Sequence, residues 1–338
     1  MGSIAAYVAF DLEGPLTPQD AAFELMKLFP DGGRVFAAIS RYDDLLTIEE
    51  KSGYQPADYE PGDTLALIVP FLVLHGVTER DIVTLAAQAP FIGGAKDIIS
   101  RLQYRAWKVH CITTTYEQYA LHLTQKLGIY AHNVACTRFP LDQLRTTMTA
   151  ADAAILRQME TDLLALPDPP EDAALKALLD AYFWQKLPAT SIGGLINQVK
   201  PVGGRRKVAA LERFSQATAQ PFSRWVYAGD SITDARVLQA VEDAGGLAIA
   251  FNANQYALQH ATAALASTHI SDLGDFLDAW SSGGRKAAER FVKERERAGG
   301  HDNRGYFHWL SGRQDIAPVL EVHRRIRRTV REEAGKLG

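Results

Sequence analysis

The sequence contains few cysteines and no long hydrophobic run. Only Cys111 and Cys136 are present among 338 residues, which excludes a disulfide framework and favours a reducing cytosol. The nine histidines show no pair at helical metal-ligand spacing, and no zinc-type cluster is present. The longest apolar stretch, residues 65–77, contains Pro70 and His75 and is too short to span a bilayer. No basic segment precedes the first apolar run, so we expect a cytoplasmic protein with no signal peptide and no membrane span.

The sequence also lacks an overall positive charge. A net charge of −4 and a pI near 6.2 give no basic footprint for nucleic acid, so we expect no nucleic-acid partner. The charge is uneven, because residues 281–338 carry 14 Lys and Arg against 8 Asp and Glu. This segment is typical of a charged helix that docks by its apolar side, but it is also compatible with a protein-partner or anionic-surface segment.

The length exceeds what one hydrophobic core usually supports, which predicts a core domain with additions. We assign the core to residues 1–17, 91–137 and 200–280. Helical patterns with Gly and Pro breaks predict a helical cap insertion over 18–90 and a second helical insertion over 138–199. Residues 281–338 form a charged helical C-terminal extension.

Four short apolar runs end in small or acidic residues and alternate with helical patterns. This alternation predicts the α/β class, with a Rossmann-like parallel sheet and helices on both faces. Ligands of such sheets bind outside the carboxyl ends of the strands, so polar residues there should converge on one crevice. The runs and the residues that follow them are 7–10 before Asp11, 108–112 before Thr113, 225–228 before Gly229, and 247–251 before Asn252.

Two acidic motifs follow the first and third of these runs. Asp11 and Glu13 lie two residues apart in D-L-E-G, so both carboxyl groups can face one phosphate on an extended segment. Asp230 and Asp234 lie four apart in G-D-S-I-T-D, where gathered carboxylates favour a hard cation such as Mg²⁺. Taken singly, the first motif is equally explained by a capped turn and the second by helix N-capping.

Two further residues could contact an anion at the same edge. Thr113 follows the second run and can donate a hydrogen bond to a phosphoryl oxygen. Lys207 lies at the start of a predicted helix, and the distance from it to Asp230 is about the length of one helix and one strand. At this position Lys207 could hold a carboxylate and neutralise the charge of a phosphate. Lys200, which precedes Pro201 and two glycines, is the alternative lysine.

These pieces, in this order, resemble the four loops of the haloacid-dehalogenase (HAD) superfamily, which carry D-x-D-G-T, a Thr or Ser, a Lys, and G-D-x-x-x-D. The phosphoserine-phosphatase-like branch is the most similar, as shown by Gly93-Gly94-Ala95, Lys207-Val-Ala-Ala-Leu211 and Ile249-Ala-Phe-Asn252. The loop 11–20 also resembles, more weakly, that of uncharacterised archaeal HAD proteins associated with methanogen energy-converting hydrogenase.

The resemblance implies a Mg²⁺-dependent phosphatase that hydrolyses a small-molecule phosphate monoester through an aspartyl-phosphate. In that interpretation Asp11 is the nucleophile and Glu13 the general acid and base. Thr113, Thr114 and Lys207 would bind the phosphoryl group. The metal site would comprise Asp11, Glu13 (through its backbone carbonyl), Asp230 and Asp234.

The sequence departs from the family pattern at two positions. Glu13 stands where the family has Asp, and Pro15 where it has Thr. The longer glutamate displaces the carboxyl group by about 1 Å, and a shift of that size can cost roughly a hundredfold in rate. Two alternatives therefore stay open: an accessory or binding subunit with weakened catalysis, and a phosphotransferase.

Overall fold

The computed structural model describes residues 6–48, 58–299 and 305–331. A seven-stranded sheet with the order β3-β2-β1-β4-β5-β6-β7 organises the molecule. The strands β1 to β6 are parallel, and β7 pairs antiparallel with β6. The strands are β1 (Tyr7–Phe10), β2 (Lys108–Tyr116), β3 (Val134–Thr137), β4 (Trp225–Gly229), β5 (Leu247–Phe251), β6 (Ala263–Ala266) and β7 (Tyr306–Trp309).

Each strand of the sheet centre is buried on both faces. In β1, Val8 and Phe10 belong to one hydrophobic cluster, whereas Tyr7 and Ala9 belong to another on the opposite face. This alternation explains why the central strands read as continuous apolar runs. The predicted α/β class with a parallel sheet covered on both faces is therefore confirmed.

The helices that complete the fold differ in length and role. The longest, α15, contains a kink at Gly284, whose φ of 61° lies in the left-handed region. The helices are α1 (Ala21–Met26), α2 (Gly32–Ile48), α3 (Thr64–Leu67), α4 (Val69–Leu74), α5 (Glu79–Gln88), α6 (Ala95–Tyr104), α7 (Glu117–Lys126), α8 (Leu141–Leu144), α9 (Ala150–Leu164), α10 (Asp172–Asp180), α11 (Ser191–Gln198), α12 (Arg205–Thr218), α13 (Ala235–Asp243), α14 (Gln255–Leu258), α15 (Leu273–Ala298) and α16 (Ala317–Arg331).

The segment 138–199 supports the segment 18–90. The Tyr42 hydroxyl donates to Asp180, the Trp184 indole donates to the Tyr42 hydroxyl, and Arg34 donates to the Leu166 carbonyl. These bonds fix α2 against α9 and α10. Within the part of the chain that the structure describes, no helix combines the length and apolar character needed to cross a bilayer.

The C-terminal segment enters the core in two places. Its strand β7 extends the sheet beyond β6, with Phe307 and Trp309 buried. Its helix α16 buries Val319, His323 and Arg327. Sequence patterns did not predict β7, and a charged helix was the only element expected there.

The buried His323 predicts a pH-dependent contribution to stability. Its Nδ1 accepts a hydrogen bond from the Ala253 amide at 2.8 Å, and burial, with His308 and Arg327 nearby, lowers its pKa to about 3. The unfolded chain takes up a proton near pH 6.5 that the folded chain does not, so stability falls as pH drops below that value.

We expect His323→Gln, which keeps an acceptor for the Ala253 amide, to remove this loss. As the pH falls from 6.5 to 5, the free energy of unfolding of the wild type should decrease by up to about 1.4 kcal/mol per pH unit relative to that of the variant. Urea unfolding at several pH values measures the difference. His132→Gln, which changes an exposed histidine in the same way, is the control. If the free energies of unfolding of the wild type and of His323→Gln changed in parallel with pH, the prediction would be wrong.

Candidate active site

Asp11 lies at the carboxyl end of β1, in the middle of the sheet. Its backbone amide donates to the Ala228 carbonyl at 2.8 Å, and its Oδ1 accepts the Leu12 amide at 2.7 Å. The chain then turns back on itself, with the Gly14 amide donating to the Thr17 carbonyl. The side chain of Asp11 is therefore held in a fixed, buried position at the crevice that the topology predicts.

Lys207 bridges two of the acidic residues. Its Nζ lies 2.6 Å from Asp11 Oδ2 and 2.7 Å from Asp234 Oδ1, and its side chain is fully buried. Asp234 Oδ1 also accepts the Tyr227 hydroxyl at 2.7 Å. Asp234 Oδ2 accepts the backbone amides of Asp230 and Ser231 at 3.0 and 3.1 Å. Both oxygens of Asp234 are thus engaged within the protein.

The electrostatics of this group follow from burial and mutual contact. Burial alone would lower the pKa of Lys207, but the Asp11 and Asp234 carboxylates raise it above its ordinary value. Burial alone would raise the pKa of Asp234, but Lys207 and the Tyr227 hydroxyl lower it. Burial and the neighbouring Asp234 and Asp230 raise the pKa of Asp11 to about 7, although Lys207 opposes the shift. Lys207 is therefore a permanent cation in the site.

Asp230 faces Asp11 from the end of β4. Gly14 packs directly against its carboxyl group, since a Cβ built at Gly14 would lie 2.3 Å from the Asp230 Cγ. The φ of +94° at Gly14 also lies in the region that favours glycine. Asp230 Oδ2 accepts hydrogen bonds from Arg327 and, at 2.9 Å, from Arg331, both on α16. Asp230 Oδ1 has no hydrogen-bond partner within the described ranges.

Glu13 is partly buried between the Asp11 loop and helix α1. Its Oε1 accepts the Ala21 amide, the first of α1, at 2.8 Å. Burial and the neighbouring Asp20 raise the pKa of Glu13 to about 8, although the Ala21 hydrogen bond and Arg331 oppose the shift. The Glu13 carboxyl group therefore holds a proton more tightly than an ordinary glutamate does, and the hydrogen bond from the Ala21 amide fixes the longer side chain at the start of α1.

The acidic group fits a hard divalent cation. Asp11, Asp230 and Asp234 can each bring a carboxylate oxygen within 4.8 Å of the others. All the available donors are oxygens, which suits Mg²⁺. Since Asp234 is saturated by Lys207, Tyr227 and two amides, Asp11 and the unpartnered Oδ1 of Asp230 are the better ligands.

A cavity of about 130 Å³ opens beside these residues. It is small compared with the roughly 300–1,000 Å³ of pockets for drug-sized ligands. Within the described chain, the segment 138–199 contributes nothing to its lining. The lining residues outside the Asp11 and Asp230 loops come from four regions: the segment 18–90 (Asp20, Phe36, Ser40, Asp43, Asp44, Gly62, Thr64, Leu65), strand β2 (Thr114), the start of helix α14 (Asn254, Tyr256) and helix α16 (Arg327, Arg331).

Comparison with known proteins identifies the fold. Neither a family model nor a curated protein sequence matches the chain. Among solved structures, the gene product AF1437 of Archaeoglobus fulgidus aligns over 99% of both chains, with 26% identity and a TM-score of 0.85. A phosphoserine phosphatase with a phospho-aspartyl intermediate analogue aligns over 80% of this chain and 98% of its own, with 14% identity and a TM-score of 0.51. A phosphoserine phosphatase in apo form aligns over 80% of this chain and 98% of its own, with 13% identity and a TM-score of 0.50. The chain has the HAD fold, in its phosphoserine-phosphatase-like form.

The HAD fold brings most of the predicted site residues together. Asp11, Lys207, Asp230 and Asp234 form one contact network, and Glu13 lies beside it. Lys200, the alternative lysine, instead forms an exposed pair with Asp58 at 2.6 Å.

The two threonines are placed differently from each other. Strand β2 continues through both, so their side chains alternate. Thr114 lines the cavity, and its hydroxyl donates to the Val202 carbonyl at 3.1 Å. Thr113 is fully buried and accepts the Thr115 amide at 3.3 Å.

Sequence reasoning missed the two arginines that contact Asp230. A signal was present, because His323, Arg327 and Arg331 are spaced four apart and therefore share one face of a helix. Only the tertiary structure shows that this polar face is the buried one.

The buried Lys207 network predicts a large stability difference between two lysines. We expect Lys207→Met to cost about 3–5 kcal/mol, because it leaves the Asp11 and Asp234 carboxylates buried without a cation. Lys200→Met should cost no more than about 1 kcal/mol, because its ion pair is exposed. Denaturant unfolding measures both free energies, and equal losses would contradict a buried Lys207 between two carboxylates.

Proposed function

We propose that the protein is a divalent-metal-dependent phosphohydrolase that cleaves a small phosphate monoester through a phosphorylated Asp11. The observation that carries this proposal is the juxtaposition of Asp11, Lys207 and Asp230 at the carboxyl edge of the sheet. Lys207 holds Asp11 Oδ2, and Asp230, which follows the neighbouring strand β4, presents an oxygen (Oδ1) to which no described residue donates a hydrogen bond. The similarity of the fold to that of phosphoserine phosphatase also supports a phosphohydrolase function.

Asp11 would act as the nucleophile. Its carboxylate oxygen attacks phosphorus, and the bond from phosphorus to the ester oxygen breaks. The Lys207 ammonium keeps Asp11 oriented and offsets the negative charge that builds up around the phosphoryl group. Mg²⁺ held by Asp11 and Asp230 would supply further charge neutralisation between the carboxylates and the phosphate.

Glu13 would transfer the protons. A protonated Glu13 donates to the departing ester oxygen, and the resulting carboxylate then takes a proton from the water that hydrolyses the aspartyl-phosphate. The raised pKa of Glu13 fits this double role. The hydrogen bond from the Ala21 amide would orient the carboxyl group, so glutamate would serve at a position where the family has aspartate.

The substrate would be small, because the cavity is small and the segment 18–90 closes much of it. A phosphate group with a short organic portion matches this space, and Thr114 is the threonine that lines it.

We place the protein in the cytosol because its sequence contains only two cysteines. A protein partner for residues 281–338 stays a prediction.

The first test is turnover of p-nitrophenyl phosphate by the purified full chain. We expect Mg²⁺-dependent release of p-nitrophenol that EDTA abolishes, and a fall in kcat of at least roughly a thousandfold in Asp11→Asn, because the nucleophile is lost. Asp58→Asn, which alters an exposed carboxylate, is the matched control. Turnover that persists in Asp11→Asn would exclude this mechanism. No turnover by the wild type on a broad phosphate panel would favour an accessory role.

The second test concerns the intermediate. With p-nitrophenyl phosphate the leaving group departs without protonation, so Glu13→Gln should slow hydrolysis of the aspartyl-phosphate more than its formation. Loss of proton transfer typically costs about 10²–10⁴-fold. We expect a burst of p-nitrophenol and a phosphorylated peptide containing Asp11 after acid quenching, detected by mass spectrometry. Unchanged steady-state turnover in Glu13→Gln would remove Glu13 from the mechanism.

A further inference from the structure

Helix α16 covers the carboxyl ends of β1, β4 and β5 with a polar face. His323 Nδ1 accepts the Ala253 amide, Arg327 donates to the Asn252 carbonyl at 3.2 Å, and Arg331 Nε donates to the Pro18 carbonyl at 3.2 Å. These contacts join α16 to the loop after β5 and to the loop after β1. The helix is thus part of the wall of the candidate active site.

The arginine side chains of this face end at one acidic residue. Arg327 and Arg331 are 5% and 8% exposed, and both donate to Asp230 Oδ2. The Nε of Arg327 is also buried, and no residue among 6–48, 58–299 and 305–331 accepts a hydrogen bond from it. Two buried guanidinium groups therefore share one carboxylate, at the residue that the proposed function assigns to the metal.

We infer that Arg327 and Arg331 determine the metal affinity of the site by acting as built-in competitors for the divalent cation at Asp230. This inference rests on the proposed function for the identity of the metal ligands.

The physical reason is charge repulsion between buried side chains and the cation. Asp230 carries one negative charge, and two guanidinium cations already contact it. A divalent cation on the same carboxylate would lie a few ångströms from both, where like charges are weakly screened. By linkage, a bound cation must weaken the docking of α16 by the same factor by which the docked arginines weaken cation binding.

A different role for the arginines would have the opposite consequence. If they held Asp230 Oδ2 only to aim Oδ1 at the metal, they would strengthen cation binding, as outer-shell partners of metal ligands do. The sign of the change in affinity therefore separates competition from positioning.

The experiment measures Mn²⁺ binding to the full chain by calorimetry and electron paramagnetic resonance, without any substrate. We expect Arg327→Gln and Arg331→Gln each to lower the Kd for Mn²⁺ about tenfold or more, because each removes one competing charge. Arg327→Lys and Arg331→Lys, which keep the charge, should change the Kd much less. Arg324→Gln, on the exposed side of the same helix, is the matched control.

A second measurement uses the unaltered protein. Saturating Mn²⁺ or Mg²⁺ should increase amide hydrogen exchange across residues 317–331, because the cation weakens the docking of α16. This measurement decides the matter even where a glutamine variant fails to fold. An unchanged or raised Kd in folded glutamine variants, or exchange that is unaffected or slowed by the metal, would overturn the inference.

These readouts do not depend on turnover. A chain that hydrolyses no phosphate ester, but whose glutamine variants bind Mn²⁺ more tightly, would refute the proposed function and support competition. Metal-dependent phosphatase activity of the wild type, together with unaltered Mn²⁺ affinity in the glutamine variants, would support the proposed function and refute competition.

Discussion

The structure depends on one ammonium group held between two carboxylates in the protein interior. Lys207 is fully buried, and a charged lysine is costly to bury unless compensating charges surround it. Asp11 and Asp234 supply these charges at 2.6 and 2.7 Å. Because the three residues come from the end of β1, the first turns of α12 and the loop after β4, the ion network fixes three separate segments. The proposed chemistry uses the same network, so stability and function are constrained by the same contacts.

Much of this arrangement could be predicted from the sequence because it depends on local patterns. Short apolar runs, each followed by acidic or hydroxyl residues, indicate strands of a parallel sheet whose carboxyl ends meet. The convergence of Asp11, Lys207 and Asp230 follows from that topology. The choice of Lys207 over Lys200 also matches the observed contacts, since only Lys207 begins a helix whose first turns face the strand ends.

The remaining features depend on long-range contacts that local patterns do not encode. Charged helices usually expose their arginines, so nothing in the spacing alone shows that Arg327 and Arg331 point inward. Strand β7 is short and pairs with a strand far from it in the sequence. The apolar run 108–112 predicts a strand that ends before Thr113, whereas β2 continues to Tyr116, so Thr113 and Thr114 lie within the strand and point to opposite faces. The hydrogen bond that the Ala21 amide donates to Glu13 similarly requires the position of α1, which the sequence pattern does not predict.

Strand β7 has a consequence for α16. Only residues 310–316 separate the strand from the helix, and β7 is anchored in the sheet. A released helix would therefore remain tethered close to its docking site, at an effective concentration roughly in the millimolar range or above. Dilution of the protein would not weaken such an intramolecular ligand. The occupancy of Asp230 would therefore depend on the cation concentration and not on the protein concentration.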